Sequence, residues 1–334
     1  MNQNDIPSPV LVTGAGGLIG SAICAELSRL DVATRALLKP EESAENVEGL
    51  EGVSIIRGDV RNAARMTEAA RSCRSVIHTA ALNTLWHRPT KSFYAINVKG
   101  TENVLEAALA AGARRFVFTS SCEVMGRARW DCVRDEHAPL DSKTVGGHYE
   151  MSKYMAERKV EEYRGRGLSC TIIRPTAVMG PRDIHTSPPG MLIRAFLRKG
   201  IPAYYDAGIN VVDSRDVARA HVEALARPVE NETFIAGGYN VRMKELFAEL
   251  SRASGVPAPT RTVGYTTALT AAAFRSFTSI FTKAHPGITI EGIRTIKHPW
   301  FFDSSKAREE LGVEPRPLTE TVGDAVKWHL DRRK

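Results

Sequence analysis

The sequence predicts an α/β protein, a doubly wound parallel sheet with a smaller, mostly helical C-terminal substrate lobe. Three observations predict it. Short apolar runs at Val10–Val12, Val32–Leu38, Val53–Arg57, Ser75–His78 and Arg115–Thr119 alternate with segments whose apolar residues recur at helical spacing. A glycine-rich turn, Thr13 to Gly17, joins the first run to the first helix. Proline and glycine crowd Pro175 to Gly190, and the pattern beyond them is mostly helical.

The first turn is the most informative stretch. Ile19, Ile23 and Leu27 follow it at helical spacing, so VLVTGAGGLIG reads strand, turn, helix. Gly14 and Gly17 leave room for main-chain amides to approach a pyrophosphate at the positive end of the helix that Leu18 and Ile19 begin. Gly20 lets that helix press on the strand. The spacing Gly14-x-x-Gly17-x-x-Gly20, with Gly16 inside it, is one residue longer in its first gap than GxGxxG. In this setting it predicts a dinucleotide-binding Rossmann fold.

The remaining elements follow in order. Val32–Leu38 and Val53–Arg57 are strands, the latter running into Gly58-Asp59-Val60. A short helix covers Asn62–Arg71, and Ser75–His78 is a strand leading to Thr79-Ala80-Ala81. A long helix spans Lys91–Ala111, then come the strand RFVFT, a helix over Gly147–Arg164 and a strand over Leu168–Arg174 closed by Pro175. Val211–Asp213 with the helix Ser214–Ala226 reads as a return to the core, and Thr233–Ala236 as a brief strand. The dinucleotide domain is therefore placed at 8–180 with returns near 209–236, and the lobe at 181–208 and 237–330.

Composition narrows the class. The 334 residues carry a net charge of +7, with basic and acidic residues interleaved, which fits a solvated surface and anionic ligands rather than nucleic acid. Five cysteines form no CxxC pair, and no histidine stands at zinc-ligand spacing, so reduced thiols in a cytoplasmic protein and no metal are expected. MNQNDIPSPV lacks the pattern of a signal peptide, and no apolar run is long enough for an integral membrane segment. Ala268–Ala284, with Phe274, Phe277 and Phe281, reads as a lobe helix over an apolar pocket.

Tyr149 and Lys153 stand four apart on one predicted helix and project from one face. An ammonium beside a phenol favours the phenolate, and such a tyrosine can exchange a proton with a carbonyl or alcohol oxygen. Ser120 and Ser121 follow the strand RFVFT, where the carboxyl end of a central strand faces the ligand crevice. A hydroxyl there can orient a substrate oxygen toward the tyrosine.

With these pieces in hand, the chain resembles the extended short-chain dehydrogenase/reductases of the NAD-dependent epimerase/dehydratase family. The matching stretches are TGAGGLIG, GDVRN, HTAAL, NVKGTENVLEAA, RFVFTSSCEV, YEMSK, RPTAVMGPRD and VVDSRDVARAHVEAL, in the family's order over nearly the whole chain. More narrowly it is similar to the dihydroflavonol reductase-like and 3β-hydroxysteroid dehydrogenase-like branch and to bacterial hopanoid-associated sugar epimerase-like proteins, through GPRDIHTSPPG, IPAYYDAGINVVDSRDVA and FFDSSKAREELGVEPRP. The resemblance implies a catalytic triad of Ser121, Tyr149 and Lys153, with Lys153 on the nicotinamide ribose and lowering the pKa of Tyr149. It also implies that Asp59 and Val60 line the adenine pocket, that Ala80 and Ala81 pass the pyrophosphate and ribose, that Asn97 supports the central strands and that Pro175 flanks the nicotinamide. A homodimer built on the helices from Lys91 and Gly147 is implied by the same likeness.

An NAD-specific site places a carboxylate at the end of the second strand, which would repel a 2′-phosphate. Here the stretch reads Ala36-Leu37-Leu38-Lys39-Pro40, so NADP is expected ahead of NAD, with Lys39 and Arg35 near the phosphate. Related 4,6-dehydratases follow the active hydroxyl with Asp-Glu, whereas this chain has Cys122-Glu123, which argues against water loss. The expected activity is NADPH-dependent reduction of an apolar or polycyclic ketone, or the reverse alcohol oxidation, with Trp86, Met179, Met191, Phe274, Phe277 and Phe281 as candidates for an apolar pocket. The alternative is an NAD(P)-dependent epimerase of a nucleotide-linked or hopanoid-linked sugar. A redox sensor without catalysis is the third reading, against which the intact tyrosine and lysine weigh.

Overall fold

Val10, Leu11 and Val12 are fully buried, and the strand they begin, β1 (Val10–Thr13), is an inner strand of a seven-stranded sheet, beside its central strand. The computed structural model describes residues 5–84, 87, 89–126, 132–140, 142–227, 229–282 and 289–332. After β1 come α1 (Leu18–Arg29), β2 (Thr34–Leu38), β3 (Val53–Arg57), α2 (Ala63–Ala70), β4 (Ser75–His78) and the short α3 (Lys91–Phe93). A π-helical turn (Tyr94–Lys99) then leads into α4 (Gly100–Ala110), followed by β5 (Arg115–Thr119), a 3₁₀ turn (Cys122–Met125), α5 (His148–Arg164) and β6 (Ser169–Pro175). With β9 (Thr233–Ala236) at the far edge, every neighbouring pair in the order β3-β2-β1-β4-β5-β6-β9 is parallel. The strand order reverses between β1 and β4, which opens a crevice at the carboxyl ends of those strands.

Helices cover both faces of the sheet, as a buried parallel sheet requires. On one side Ile23 and Leu27 of α1 pack with Val217 and Leu225 of α7 (Ser214–Ala226). On the other, Met66 of α2, Val104 of α4 and Val160 of α5 share a second cluster. Ile23 and Leu27 are completely buried, and each such side chain contributes about 2 kcal/mol over an exposed one. The double winding expected from the alternating pattern is what the chain forms.

A smaller sheet stands apart from the main one. β7 (Ala177–Met179) pairs in parallel with β8 (Gly208–Asp213), which pairs antiparallel with β10 (Tyr239–Arg242). β8 belongs to this second sheet while its Val212 packs into the core shared by α1 and α7, and α7 and β9 pack on the first sheet. Helices α6 (Pro188–Lys199), α8 (Met243–Ser254) and α12 (Leu318–Asp331) close over it, with Phe196, Tyr204 and Phe247 in contact at its centre. The rings of Tyr204 and Phe247 are 5.1 Å apart in an edge-to-face arrangement. Between α8 and α12 in sequence lie α9 (Tyr265–Thr282), α10 (Ile290–Thr295) and α11 (Ser305–Leu311). Among the described residues no helix is long and apolar enough to cross a membrane.

The single long helix expected over Lys91–Ala111 is interrupted by its π-helical turn. Such a turn shifts the register of the side chains on either side of it. Here Asn97, within the turn, is buried and faces the strand ends.

Candidate active site

The glycine turn is shaped by what it must not carry. Gly14 adopts φ +69°, and a Cβ there would stand 2.7 Å from the Ala80 nitrogen. At Gly20 a Cβ would meet the Gly14 carbonyl oxygen at 2.2 Å, so α1 can press on β1 only with glycine in that place. Gly17 is the N-cap of α1 and no side chain caps the helix, so its first turn presents main-chain N–H groups to whatever lies in the crevice. These features suit a dinucleotide pyrophosphate.

Around this turn the other expected cofactor residues take separate positions. Ala80, at the end of β4, directs its N–H to Thr13 Oγ1 at 3.3 Å, and Ala81 follows it. Pro175 ends β6 beside Ala236, also at a carboxyl strand end. Val60 is buried, its carbonyl accepting Asn103 Nδ2 at 2.9 Å. Asp59 turns its carboxylate to the Arg61 guanidinium, whose hydrogen bonds outweigh burial and hold it below the usual carboxylate range. Lys39 is exposed just past β2. Arg35 corrects the expectation made for it: its guanidinium donates to the Ala69 and Arg71 carbonyls at 2.6 and 2.9 Å, committed to the end of α2.

Ser121, Tyr149 and Lys153 come together from β5 and α5. Ser121 lies just beyond β5, and its Oγ accepts the Glu123 N–H at 3.2 Å to start the 3₁₀ turn. Tyr149 and Lys153 occupy the first turns of α5, whose start at Gly147 is fixed by Glu150 accepting the Gly147 N–H at 2.6 Å. All three side chains are nearly buried. The Ser121 hydroxyl hydrogen-bonds the Tyr149 phenol, and Lys153 Nζ donates to the Thr119 carbonyl at 2.6 Å while lying 4.2 Å from the centre of the Phe118 ring.

The protonation states depart from the expectation. Tyr149 was expected to have its pKa lowered by Lys153; instead burial raises it, the Glu123 carboxylate adds to that, and the bond from Ser121 only partly offsets it. Burial also lowers Lys153 from 10.5 to about 7 despite the opposing pull of Glu157. Lys153 Nζ is turned to a carbonyl on β5, and burial together with the Glu123 carboxylate keeps Tyr149 a neutral phenol.

Beneath the triad is a buried charge network that motif reading missed. Glu157, one turn past Lys153, accepts Ser120 Oγ–H at 2.5 Å and pairs with Arg174. Both side chains are buried, and a buried pair of this kind fixes geometry more surely than it adds stability. Helical spacing from Lys153 was the only signal for Glu157. Cys122 is turned away from the crevice, donating its thiol to the Arg174 carbonyl at 3.2 Å, and burial pushes its pKa up. It offers no acid where a dehydratase carries its aspartate. His148 stacks on Phe93 and hydrogen-bonds Tyr94.

Among the apolar pocket candidates, Met179 is packed in the lobe core with Ile193 and Phe196, while Phe274 is 69% exposed on α9; neither lines a pocket. Met191 is half-buried on α6. Trp86 and the side chains of Phe277 and Phe281 lie outside the described residues. Among the described residues no group of histidine, cysteine, aspartate and glutamate could hold a metal ion.

Comparison with known proteins gives consistent matches. The family described as "NAD dependent epimerase/dehydratase family" matches residues 10–241. A Synechocystis protein named "Putative dihydroflavonol 4-reductase" is 31% identical over 95% of this chain and 93% of its own length. "Sterol demethylase protein B" of Methylococcus capsulatus is 28% identical over 96% and 98%. The crystal structure of gox2253 superposes with a TM-score of 0.85 at 32% identity, over 97% of this chain and 98% of that one.

Proposed function

Because the chain belongs to the NAD dependent epimerase/dehydratase family, we propose that it is an NADPH-dependent carbonyl reductase, or runs the reverse alcohol oxidation, on an apolar or polycyclic substrate. It is an NAD(P)-dependent oxidoreductase of the extended short-chain dehydrogenase/reductase type. The observation that carries the finer reading is the meeting of Ser121, Tyr149 and Lys153 at the carboxyl end of β5, beside the switch in strand order.

When bound, the cofactor supplies or accepts hydride at the substrate carbon. Gly16, Leu18 and Ile19 would present main-chain N–H groups to its pyrophosphate, and Gly17, whose N–H bonds the Gly14 carbonyl, would allow close approach. Asp59 and Val60 would border the adenine, Ala80 and Ala81 the pyrophosphate and ribose, and Pro175 the nicotinamide. Lys39, exposed just past β2, would attract a 2′-phosphate, which supports preferring NADP(H) to NAD(H).

Reduction asks the protein to deliver one proton to the substrate oxygen. Ser121 Oγ orients that oxygen, and Tyr149 Oη gives up its proton as the carbonyl becomes an alcohol. A phenol whose pKa is raised by burial keeps its proton until the substrate oxygen gains charge, which suits an acid better than a base. Lys153 would stabilise the resulting phenolate and hold the cofactor ribose. Asn97 secures the floor of the site through Leu82 and Ser152. The apolar or polycyclic class is supported by relatives whose names refer to a dihydroflavonol and a sterol. The outer sides of α4 and α5 would form the homodimer.

The test is NADPH consumption over a panel of ketones, aldehydes and nucleotide sugars, with Tyr149→Phe as control. Turnover of a lipophilic ketone should fall about 10²- to 10⁴-fold in the variant while NADPH binding is kept. Undiminished turnover in Tyr149→Phe, or conversion of a nucleotide sugar without net cofactor consumption, overturns the proposal.

A further inference from the structure

Past the end of β2 the chain doubles back, and Glu42 faces the glycine turn. Glu42 Oε1 lies 2.6 Å from where a Cβ on Gly16 would stand, so the carboxylate rests directly on that residue. Oε2 accepts the Lys39 N–H at 2.9 Å, Oε1 accepts His185 Nε2 at 2.7 Å, and the side chain is only 7% exposed. Arg57 Nη1 pins the same bend by donating to the Lys39 and Glu42 carbonyls. Asn46 Nδ2 ties it to the Gly16 and Arg182 carbonyls at 2.9 and 2.8 Å. The carboxylate is thus fixed by the second strand's own loop, by the glycine turn and by the segment that leads into α6.

Burial alone would raise the Glu42 pKa, yet the bonds from His185 and the Lys39 amide outweigh it and hold the group below the ordinary carboxylate range. Glu42 is therefore charged at neutral pH. The Lys39 ammonium lies within electrostatic range of both Glu42 and Asp59. In a sheet of this kind the adenosine ribose lies between the glycine turn and the end of the second strand, so its 2′ position would face a fixed anion as well as an exposed cation.

We propose that Glu42 is a cofactor-selectivity residue, which accepts a hydrogen bond from the ribose 2′-hydroxyl of NAD(H) and opposes the 2′-phosphate of NADP(H). It works against Lys39, and the ratio of the two cofactors is set by their balance. The inference rests on the nicotinamide site proposed above. Glycine at position 16 is what lets the carboxylate reach the turn, and the bond to His185 couples the choice of cofactor to the segment entering the lobe.

Equilibrium binding tests this without any substrate. NADH, NADPH, adenosine 5′-monophosphate and adenosine 2′,5′-bisphosphate are titrated against the wild type, Glu42→Gln and Lys39→Ala. Glu42→Gln keeps the shape of the side chain and its acceptor for the Lys39 amide, and a thermal melt checks that the variant is folded. It should shift the ratio of dissociation constants toward NADPH by about tenfold, the effect of one nearby charge, and Lys39→Ala should shift it by a similar factor toward NADH. The two adenosine nucleotides, which differ only in the 2′-phosphate, should follow the same shifts. A ratio in Glu42→Gln within about threefold of wild type, or a shift toward NADH, overturns the proposal. If the wild type binds no nicotinamide cofactor, this inference and the proposed function fall together. If the ratios shift as expected and no carbonyl is reduced, Glu42 keeps its role and only the proposed reaction falls.

Discussion

Asn97 and Ser152 are joined by a hydrogen bond of 2.8 Å from Asn97 Nδ2 to Ser152 Oγ, across 55 positions of sequence. Ser152 sits between Tyr149 and Lys153 on α5 and donates its own proton to the Tyr149 carbonyl at 2.7 Å. Asn97 meanwhile exchanges hydrogen bonds with both the N–H and the carbonyl of Leu82, beyond β4. One side chain in a π-helical turn therefore ties α5, which carries Tyr149 and Lys153, to the chain beyond β4.

Asn97→Ala leaves buried donors and acceptors at Leu82 and Ser152 without that partner. The expected loss is about 2–3 kcal/mol of stability, read by urea unfolding, together with a fall in kcat larger than any change in cofactor affinity. An unfolding midpoint equal to that of the wild type would show that the clamp is dispensable.

Lys153 carries a stability cost that depends on pH. Its folded pKa of about 7 is below its ordinary 10.5, so in that window the unfolded chain binds the extra proton and stability rises with pH. Lys153→Met removes this cost, which is greatest below pH 7. The variant should be inactive yet more stable than wild type at pH 6, by on the order of 2 kcal/mol after loss of the Thr119 bond is counted, and the gap should close toward pH 10. Denaturant curves at the two pH values measure it.

Two buried histidines make the fold acid-sensitive. His78 is held between Thr13 Oγ1 and Thr101 Oγ1 at 2.6 and 2.9 Å, and His221 contacts Thr119 Oγ1 at 2.7 Å. Burial lowers their pKa values to about 3 and about 4. As pH falls below the unfolded value near 6.5, the unfolded chain takes up protons that the folded one refuses, and stability drops until the folded values are reached. At pH 5 the loss should be about 2 kcal/mol per histidine, and His221→Gln should flatten the dependence of Tm on pH between 6.5 and 4.

Gly20→Ala places a methyl group 2.2 Å from the Gly14 carbonyl oxygen, so α1 must move off β1. NADPH affinity should fall at least about tenfold, and the melting temperature should drop as well. Calorimetric titration and a thermal melt read both, and wild-type affinity would mean that the turn does not hold the cofactor.

The parallel sheet, the glycine turn and the meeting of a strand-end serine with a YxxxK helix were legible because each has a short-range signature: period, glycine spacing, or a four-residue step on one helix. What escaped was set by contacts across long separations. Glu42 reads as an ordinary loop acid until the bend after β2 brings it onto Gly16, and His185, which bonds it, is 143 positions away. Arg35 could be read as a second cation for the phosphate beside Lys39, and only the path of α2 shows that it is committed elsewhere.

The sequence by itself determined where strands and helices alternate and which residue types stand at the strand ends, since periodicity and backbone freedom are properties of neighbouring residues. Only the tertiary structure decided the charge states around Tyr149 and the anion at the glycine turn. Those depend on burial and on groups from distant segments, whose energies arise only once water has been excluded from between them.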